Sequence, residues 1–291
     1  MVQKLGDISS ATVTILAEDL AGYDSPLNAM FGLSMLLEIR VGDIKTQILY
    51  DANQASEPIL QNLETLGISL NRLNSIFISH GHFDHTGGLA GMLEAIDKPI
   101  PVIGHPSIFR PCFEIKPEGL WPIGLIGYSQ ADLEKRKAQF IFTREPLKMM
   151  TGVITTGEIP RVNDFESPGD MYTIQDGAVV RDEIIDDASI ILNLPDGLVI
   201  LAGCCHAGIV NTIAHAKAIT GVSKIHAVIG GLHLLDASED RLNKTIEALA
   251  DVDYIFAGHC TGLKALAAIM EAKGSNFSQI HTGKIIDLPI R

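Results

Sequence analysis

Residues 79–88 read Ser-His-Gly-His-Phe-Asp-His-Thr-Gly-Gly, and no other stretch of the chain restricts its fold so tightly. Four groups able to ligate a metal, His80, His82, Asp84 and His85, fall within six positions directly after the short apolar strand predicted at 75–79. Side chains on an extended backbone repeat with period two, so His80 and His82 share one side. Asp84 and His85 turn toward a second point as the chain enters a helix. The run therefore supplies two neighbouring sites. So many polar groups packed together without a cation would be costly. Imidazoles and carboxylates suit zinc, and also iron or manganese. Gly87 and Gly88 permit tight turning and close approach of a substrate.

The remainder of the chain is ordinary for a globular protein. It has 291 residues, 46% of them hydrophobic, enough to bury one large core, and we read 1–291 as a single domain. Charged residues at 20% exclude a disordered chain, and no apolar run nears the roughly 20 residues needed to span a bilayer. The opening MVQKLGDISS has no apolar core of a secretory signal, so the cytoplasm is the expected location. A net charge of −13 argues against binding nucleic acid or an anionic membrane. Two divalent ions would add about four positive charges at one spot and reverse the field there. Cys112, Cys204, Cys205 and Cys260 do not form a disulfide framework in a chain of this kind, and their plainest use is as small buried residues.

Strand-like and helix-like segments alternate, which predicts an α/β architecture. Strands are expected at 12–17, 33–40, 45–50, 75–79, 198–202, 225–229 and 254–257. Helices are expected at 56–66, with Ser56 as its cap and Gly67 as its stop, and at 87–96, 208–219, 238–249 and 261–272. Residues 106–150 differ. They carry Pro106, Pro111, Pro117, Pro122 and Pro146, the single Trp121 and the cluster Glu134-Lys135-Arg136-Lys137, with little periodicity. They read as an insertion over the main body, lid-like, a surface excursion or a dimer contact, and homo-oligomerisation stays open.

The His80-to-His85 run has the H-x-H-x-D-H form of the metallo-β-lactamase superfamily. Further matches follow in order: Leu49-Tyr50-Asp51, Gly203-Cys204-Cys205-His206-Ala207-Gly208, Gly230-Gly231-Leu232-His233 and Gly258-His259-Cys260-Thr261-Gly262. Over nearly its whole length the chain resembles the branch containing the archaeal dihydropterin–ribofuranosylaminobenzene phosphate synthase and many relatives known only as metal-dependent hydrolases. The resemblance implies a four-layer αββα sandwich with two metals at the edge between its sheets. His80, His82 and His206 match the ligands of one metal, and Asp84, His85 and His259 those of the other. Where many relatives carry Gly-Asp this chain has Gly203-Cys204, so the bridging ligand is either Cys204 or Asp187. Asp51, in Asp51-Ala52-Asn53 where Asp-Thr-Gly is usual, is expected beneath the metals, fixing a ligand histidine or a water. His233 is a candidate for substrate contact or proton transfer. His105, His215, His226 and His281 have no such context and are expected to be structural.

These expectations point to a hydrolase or group transferase acting on a phosphorylated small molecule, through two divalent ions and a hydroxide they generate. Asp84 would ligate and steer the nucleophile. The ligand loops open into helices at Thr86-Gly87, Ala207-Gly208 and Thr261-Gly262, and free N–H groups there suit an anionic substrate. A second expectation is the synthase reaction, in which the metals activate a pyrophosphate leaving group and an aminobenzene ribotide attacks a dihydropterin methylene carbon. A third, of another class, is a non-catalytic metal or ligand sensor. A redox diiron role is disfavoured, since such relatives commonly place Glu at the position of His82.

Overall fold

The computed structural model describes residues 5–125 and 127–290. Two seven-stranded sheets form the body. The first runs, edge to edge, Ile285–Leu288, Ser10–Ala17, Ser34–Val41, Ile44–Tyr50, Leu73–Phe77, Ile100–Gly104 and Ala138–Phe142. The second runs Phe277–Gln279, Tyr254–Gly258, Ile225–Gly231, Gly197–Ala202, Ile190–Leu194, Val153–Thr155 and Lys148–Met150.

Alternation along the strands sets the layers. Val13, Ile15, Leu37, Ile39, Ile48 and Tyr50 of the first sheet pack on Ile190, Leu192, Val199, Leu201 and Ile229 of the second. The opposite face of the first sheet, with Leu16, Leu36 and Leu49, is covered by Ile59, Leu63 and Leu93 from helices Ser56–Thr65 and Leu89–Ile96. The outer face of the second, with Leu198, Ile200 and Val228, is covered by Ile209, Ile213, Leu266 and Ile269 from helices Ile209–Thr220 and Leu263–Lys273. Helix, sheet, sheet, helix is the expected αββα order. No described helix is long and apolar enough to cross a membrane.

The strands that lead into the motifs are parallel: Ile44–Tyr50 beside Leu73–Phe77, and Gly197–Ala202 beside Ile225–Gly231 beside Tyr254–Gly258. Within each sheet their C-terminal ends therefore open on one edge, where ligand loops of α/β folds gather.

Three local expectations need correction. Ser56 is not a cap; the helix starts on it, Ala55 holds the cap position without a side-chain bond, and Ser56 is buried where the neighbouring helix presents Gly91. The helix expected at 87–96 starts two residues later, at Leu89–Ile96, after a separate short turn of helix at Phe83–Thr86, and Gly87 and Gly88 between them press against the backbone of residues 52–56. Residues 106–150 are not one excursion. Ala138–Phe142 and Lys148–Met150 are edge strands of the two main sheets. Phe113–Lys116 and Gly119–Pro122 leave the body and join Tyr172–Gln175 and Ala178–Arg181 in a separate four-stranded sheet. Trp121 is half-exposed in it, under the Lys116 ammonium at 5.0 Å.

Candidate metal centre

His80, His82 and His206 converge, with one ring nitrogen from each within 4.8 Å of the others. Hydrogen bonds assign the nitrogens. The Asp51 carboxylate can only accept, so Ser79 Oγ donates to it at 2.7 Å and in turn accepts from His80 Nδ1 at 2.9 Å. That leaves His80 Nε2 bare, 3.0 Å from His82 Nδ1. His82 turns its other nitrogen to Cys112 Sγ at 3.3 Å, and His206 Nδ1 donates to the carbonyl of Pro168 at 3.4 Å. His206 Nε2 is buried with no hydrogen-bond partner. Burial holds His80 and His206 well below the usual histidine range and His82 at about 4, so all three present neutral lone pairs. An orphaned imidazole nitrogen facing two more is a poor hydrogen-bonding arrangement and a good set of donors for a divalent cation.

The second group is Asp84, His85, Cys204 and His259. Cys204 Sγ lies 3.1 Å from His85 Nε2 and 3.2 Å from His259 Nε2. Asp84 Oδ2 lies 3.5 and 3.4 Å from the same two nitrogens. Here the outward nitrogens are held by carboxylates: His85 Nδ1 by Asp51 Oδ2 at 2.7 Å, His259 Nδ1 by Asp19 Oδ1 at 3.1 Å. Burial opposes ionisation of Asp84, but His85 and His259 beside it hold its carboxyl well below the ordinary range. The donor set, one carboxylate, two imidazoles and a thiol, fits zinc.

Of the two candidates for the bridging place, Cys204 stands within this group. Asp187 Oδ2 instead accepts the Ala207 N–H at 2.7 Å. Asp51 lies beneath both groups. His233 is outside them, with its ring 4.2 Å from that of His206. The other histidines are tied elsewhere: His105 to Glu158, His215 to the carbonyl of Thr156, His226 to Asp253 and His281 to the carbonyl of Thr282.

The helix following Gly208 does not offer the free N–H groups expected of it. The Glu166 carboxylate accepts from Val210 and Asn211 at 2.9 and 2.8 Å and fills that terminus. Sequence reasoning also missed Glu18 and Asp19. They follow the strand Ser10–Ala17 as Asp51 follows Ile44–Tyr50, which is the signal that could have found them. Glu18 Oε1 accepts the His259 N–H at 2.6 Å. Phe31, half-exposed, stands 5.8 Å from the His259 ring and 5.9 Å from Phe83.

Residues 34–119 match the metallo-β-lactamase superfamily. The chain is 39% identical, over 98% of its own length and 99% of the relative's, to the 7,8-dihydropterin-6-methyl-4-(β-D-ribofuranosyl)-aminobenzene-5'-phosphate synthase of Methanocaldococcus jannaschii. An uncharacterised protein of the same organism is 33% identical over 89% of this chain and 94% of that protein. A metal-dependent hydrolase of the β-lactamase superfamily superposes with a TM-score of 0.78 at 21% identity, covering 95% of this chain and 98% of the other. Zn2+-bound PqqB from Methylobacterium extorquens superposes at 0.55 with 15% identity, covering 95% and 100%. The two superpositions speak for the fold. At 39% identity along nearly its whole length, the chain belongs to the metallo-β-lactamase superfamily and, within it, to the family of that synthase.

Proposed function

We propose that this protein is a metal-dependent transferase of the dihydropterin–ribofuranosylaminobenzene phosphate synthase type. Two divalent ions, zinc first, would be held by His80, His82 and His206 and by Asp84, His85, Cys204 and His259. The observation that carries the reading is the 39% identity to the synthase across 98% of the chain. The convergence of the donors from strand ends of both sheets into two groups supports it. In the reaction the methylene carbon of a dihydropterin pyrophosphate loses its bond to oxygen and gains one to the amine of an aminobenzene ribotide. Pyrophosphate leaves with the electron pair, and the amine loses a proton.

Divalent ions at these positions would supply positive charge to a departing pyrophosphate. The chain's own residues do the rest. Asp51 and Asp19 fix the ligand histidines in one tautomer, as the hydrogen bonds above require. Phe31 offers an aromatic face beside the donors, suited to a flat pterin ring. The substrate partner is an anionic small molecule, drawn to the cationic spot in an otherwise acidic protein.

The test is to supply the metal-reconstituted chain with a dihydropterin pyrophosphate and an aminobenzene ribotide. Mass spectrometry should find the joined product and free pyrophosphate, both lost in His206→Ala. Hydrolysis of phosphoesters with no joined product would move the assignment to a hydrolase. A metal-loaded chain that turns over neither substrate would leave the sensor reading.

A further inference from the structure

We propose that Cys204, His233 and Cys260 form a third, sulfur-rich position for a soft divalent ion such as zinc or cadmium, sharing Cys204 with the second donor group. The proposal rests on the two-ion reading above and extends it. One donor atom from each of the three residues lies within 4.8 Å of the others. Bonds of about 2.3 Å to sulfur and about 2.0 Å to nitrogen, at tetrahedral angles, put three donors roughly 3.5–3.8 Å apart.

Three further observations separate this group from ordinary buried cysteines. Cys205, next in the chain, belongs to the apolar cluster beneath the helix Ile209–Thr220 and touches Thr212 Oγ1. Cys204 and Cys260 belong to no apolar cluster among the described residues. Cys260 Sγ rests instead on polar backbone, 3.4 Å from the carbonyl of Cys204 and 3.3 Å from the His233 N–H. His233 Nδ1 is buried and has no hydrogen-bond partner. Such a nitrogen lacks what a bound ion would give it.

The backbone is shaped to the same end. The two cysteines follow strands Gly197–Ala202 and Tyr254–Gly258, which are separated by Ile225–Gly231. A Cβ on Gly231 would lie 2.6 Å from Cys260 Sγ, so the missing side chain is what lets the thiol reach across the middle strand. Cys205, His233 and His259, one beside each strand end, all have positive φ, at 60, 47 and 50°. Non-glycine residues hold that conformation only where their surroundings demand it, and such residues gather at ligand sites. Two sulfurs and an imidazole select zinc or cadmium over magnesium or manganese. An ion here would also draw on the Cys204 sulfur that the second group uses, so occupancy of the two positions would be linked.

The test uses the full chain. Zinc-loaded wild type should hold about three ions, and Cys260→Ser about two, since losing one ligand of three abolishes tight binding. Cobalt-loaded wild type should show a thiolate-to-cobalt charge-transfer band that falls by about two-thirds in Cys260→Ser, because the third ion is lost with both its sulfur bonds and only the Cys204 bond of the second group remains. The wild-type spectrum stands even where the variant fails to fold, and a spectrum with one sulfur or none overturns the proposal. An unchanged zinc count in a folded Cys260→Ser overturns it too, as does a Cys204–Cys260 disulfide in the reduced-buffer protein. His206→Ala tests the two-ion reading separately. It should remove a nitrogen-ligated ion and leave the cobalt–sulfur band intact.

Discussion

Asp51 Oδ2 lies 2.7 Å from His85 Nδ1, and the same oxygen accepts from Ser79 Oγ at 2.7 Å. Ser79 in turn holds His80, so one carboxylate sets the tautomer of a histidine in each donor group. Asp51 is fully buried and has a φ of 56°, a conformation Asp tolerates better than most residues. Its other oxygen accepts the Ser79 N–H at 2.7 Å, which ties the strand end Ile44–Tyr50 to the start of the ligand run.

Asp51→Asn keeps the shape but gives the side chain an N–H where both partners donate. It should weaken metal binding by about 10–100-fold, the usual effect of losing such a partner. The loss should fall on both donor groups together. Competition against a chelator, with circular dichroism to confirm folding, measures it. Unchanged affinity, or loss of one ion alone, would show that Asp51 does not serve both.

Gly81 sits between the two histidines, and a Cβ there would lie 2.3 Å from the Ile108 carbonyl oxygen. The obstacle is backbone, held in the turn Pro106–Phe109, and cannot rotate away. Gly81 also donates its N–H to Asp186 Oδ2 at 2.8 Å. Gly81→Ala should therefore cost about 1–3 kcal/mol, as overpacking of a close contact does. Urea unfolding of the metal-free chain reads it directly, and a variant as stable as wild type refutes the contact.

What the sequence made legible follows from distance along the chain. The run 80–85 is local, and its period places its own side chains. His206 and His259 follow short apolar strands and glycines, so their position on the rim could be inferred from strand ends. Asp19 could not be joined to His259 from sequence, since 240 positions separate them and only the closing of the sheets brings them within 3.1 Å. Glu166 could not be joined to the helix terminus it fills either, since 44 positions separate it from Val210. The four-stranded sheet was invisible because its strands are four residues long and largely exposed, which leaves no alternation to read. The two edge strands inside 106–150 were hidden by the irregular sequence around them.

Phe31 should matter for an aromatic substrate and not for the metals. Its ring is half-exposed, leans on Phe83 and stands 5.8 Å from His259. Stacking of this kind contributes about 0.5–1.5 kcal/mol. Phe31→Ala should therefore raise KM for the pterin substrate by roughly 2–10-fold, following about 1.4 kcal/mol per tenfold. Metal content should not change, and Phe31→Tyr should restore the KM. A variant with unaltered KM places the pterin elsewhere on the rim.

The metal-free protein should carry a distinctive proton response at His82. Burial lowers its folded pKa from 6.5 to about 4. Between those values the unfolded ring takes up a proton and the folded ring does not. Folding stability from this residue is therefore intact above 6.5 and declines as pH falls toward 4. Glu18 runs the other way: burial raises its pKa from 4.5 to about 7, so its contribution declines as pH rises through that window. A stability curve for wild type alone mixes the two, and the difference between wild type and His82→Gln isolates the histidine. The advantage of wild type over the variant should shrink as pH drops from about 7 to about 4.5, with Glu18 common to both. Imidazole proton shifts give a second reading: the His82 ring should remain neutral at about pH 5.5, where an exposed histidine is already mostly charged. A ring that titrates near 6.5 would mean that water reaches it in the metal-free state. The burial of the three-histidine group would then depend on a bound ion.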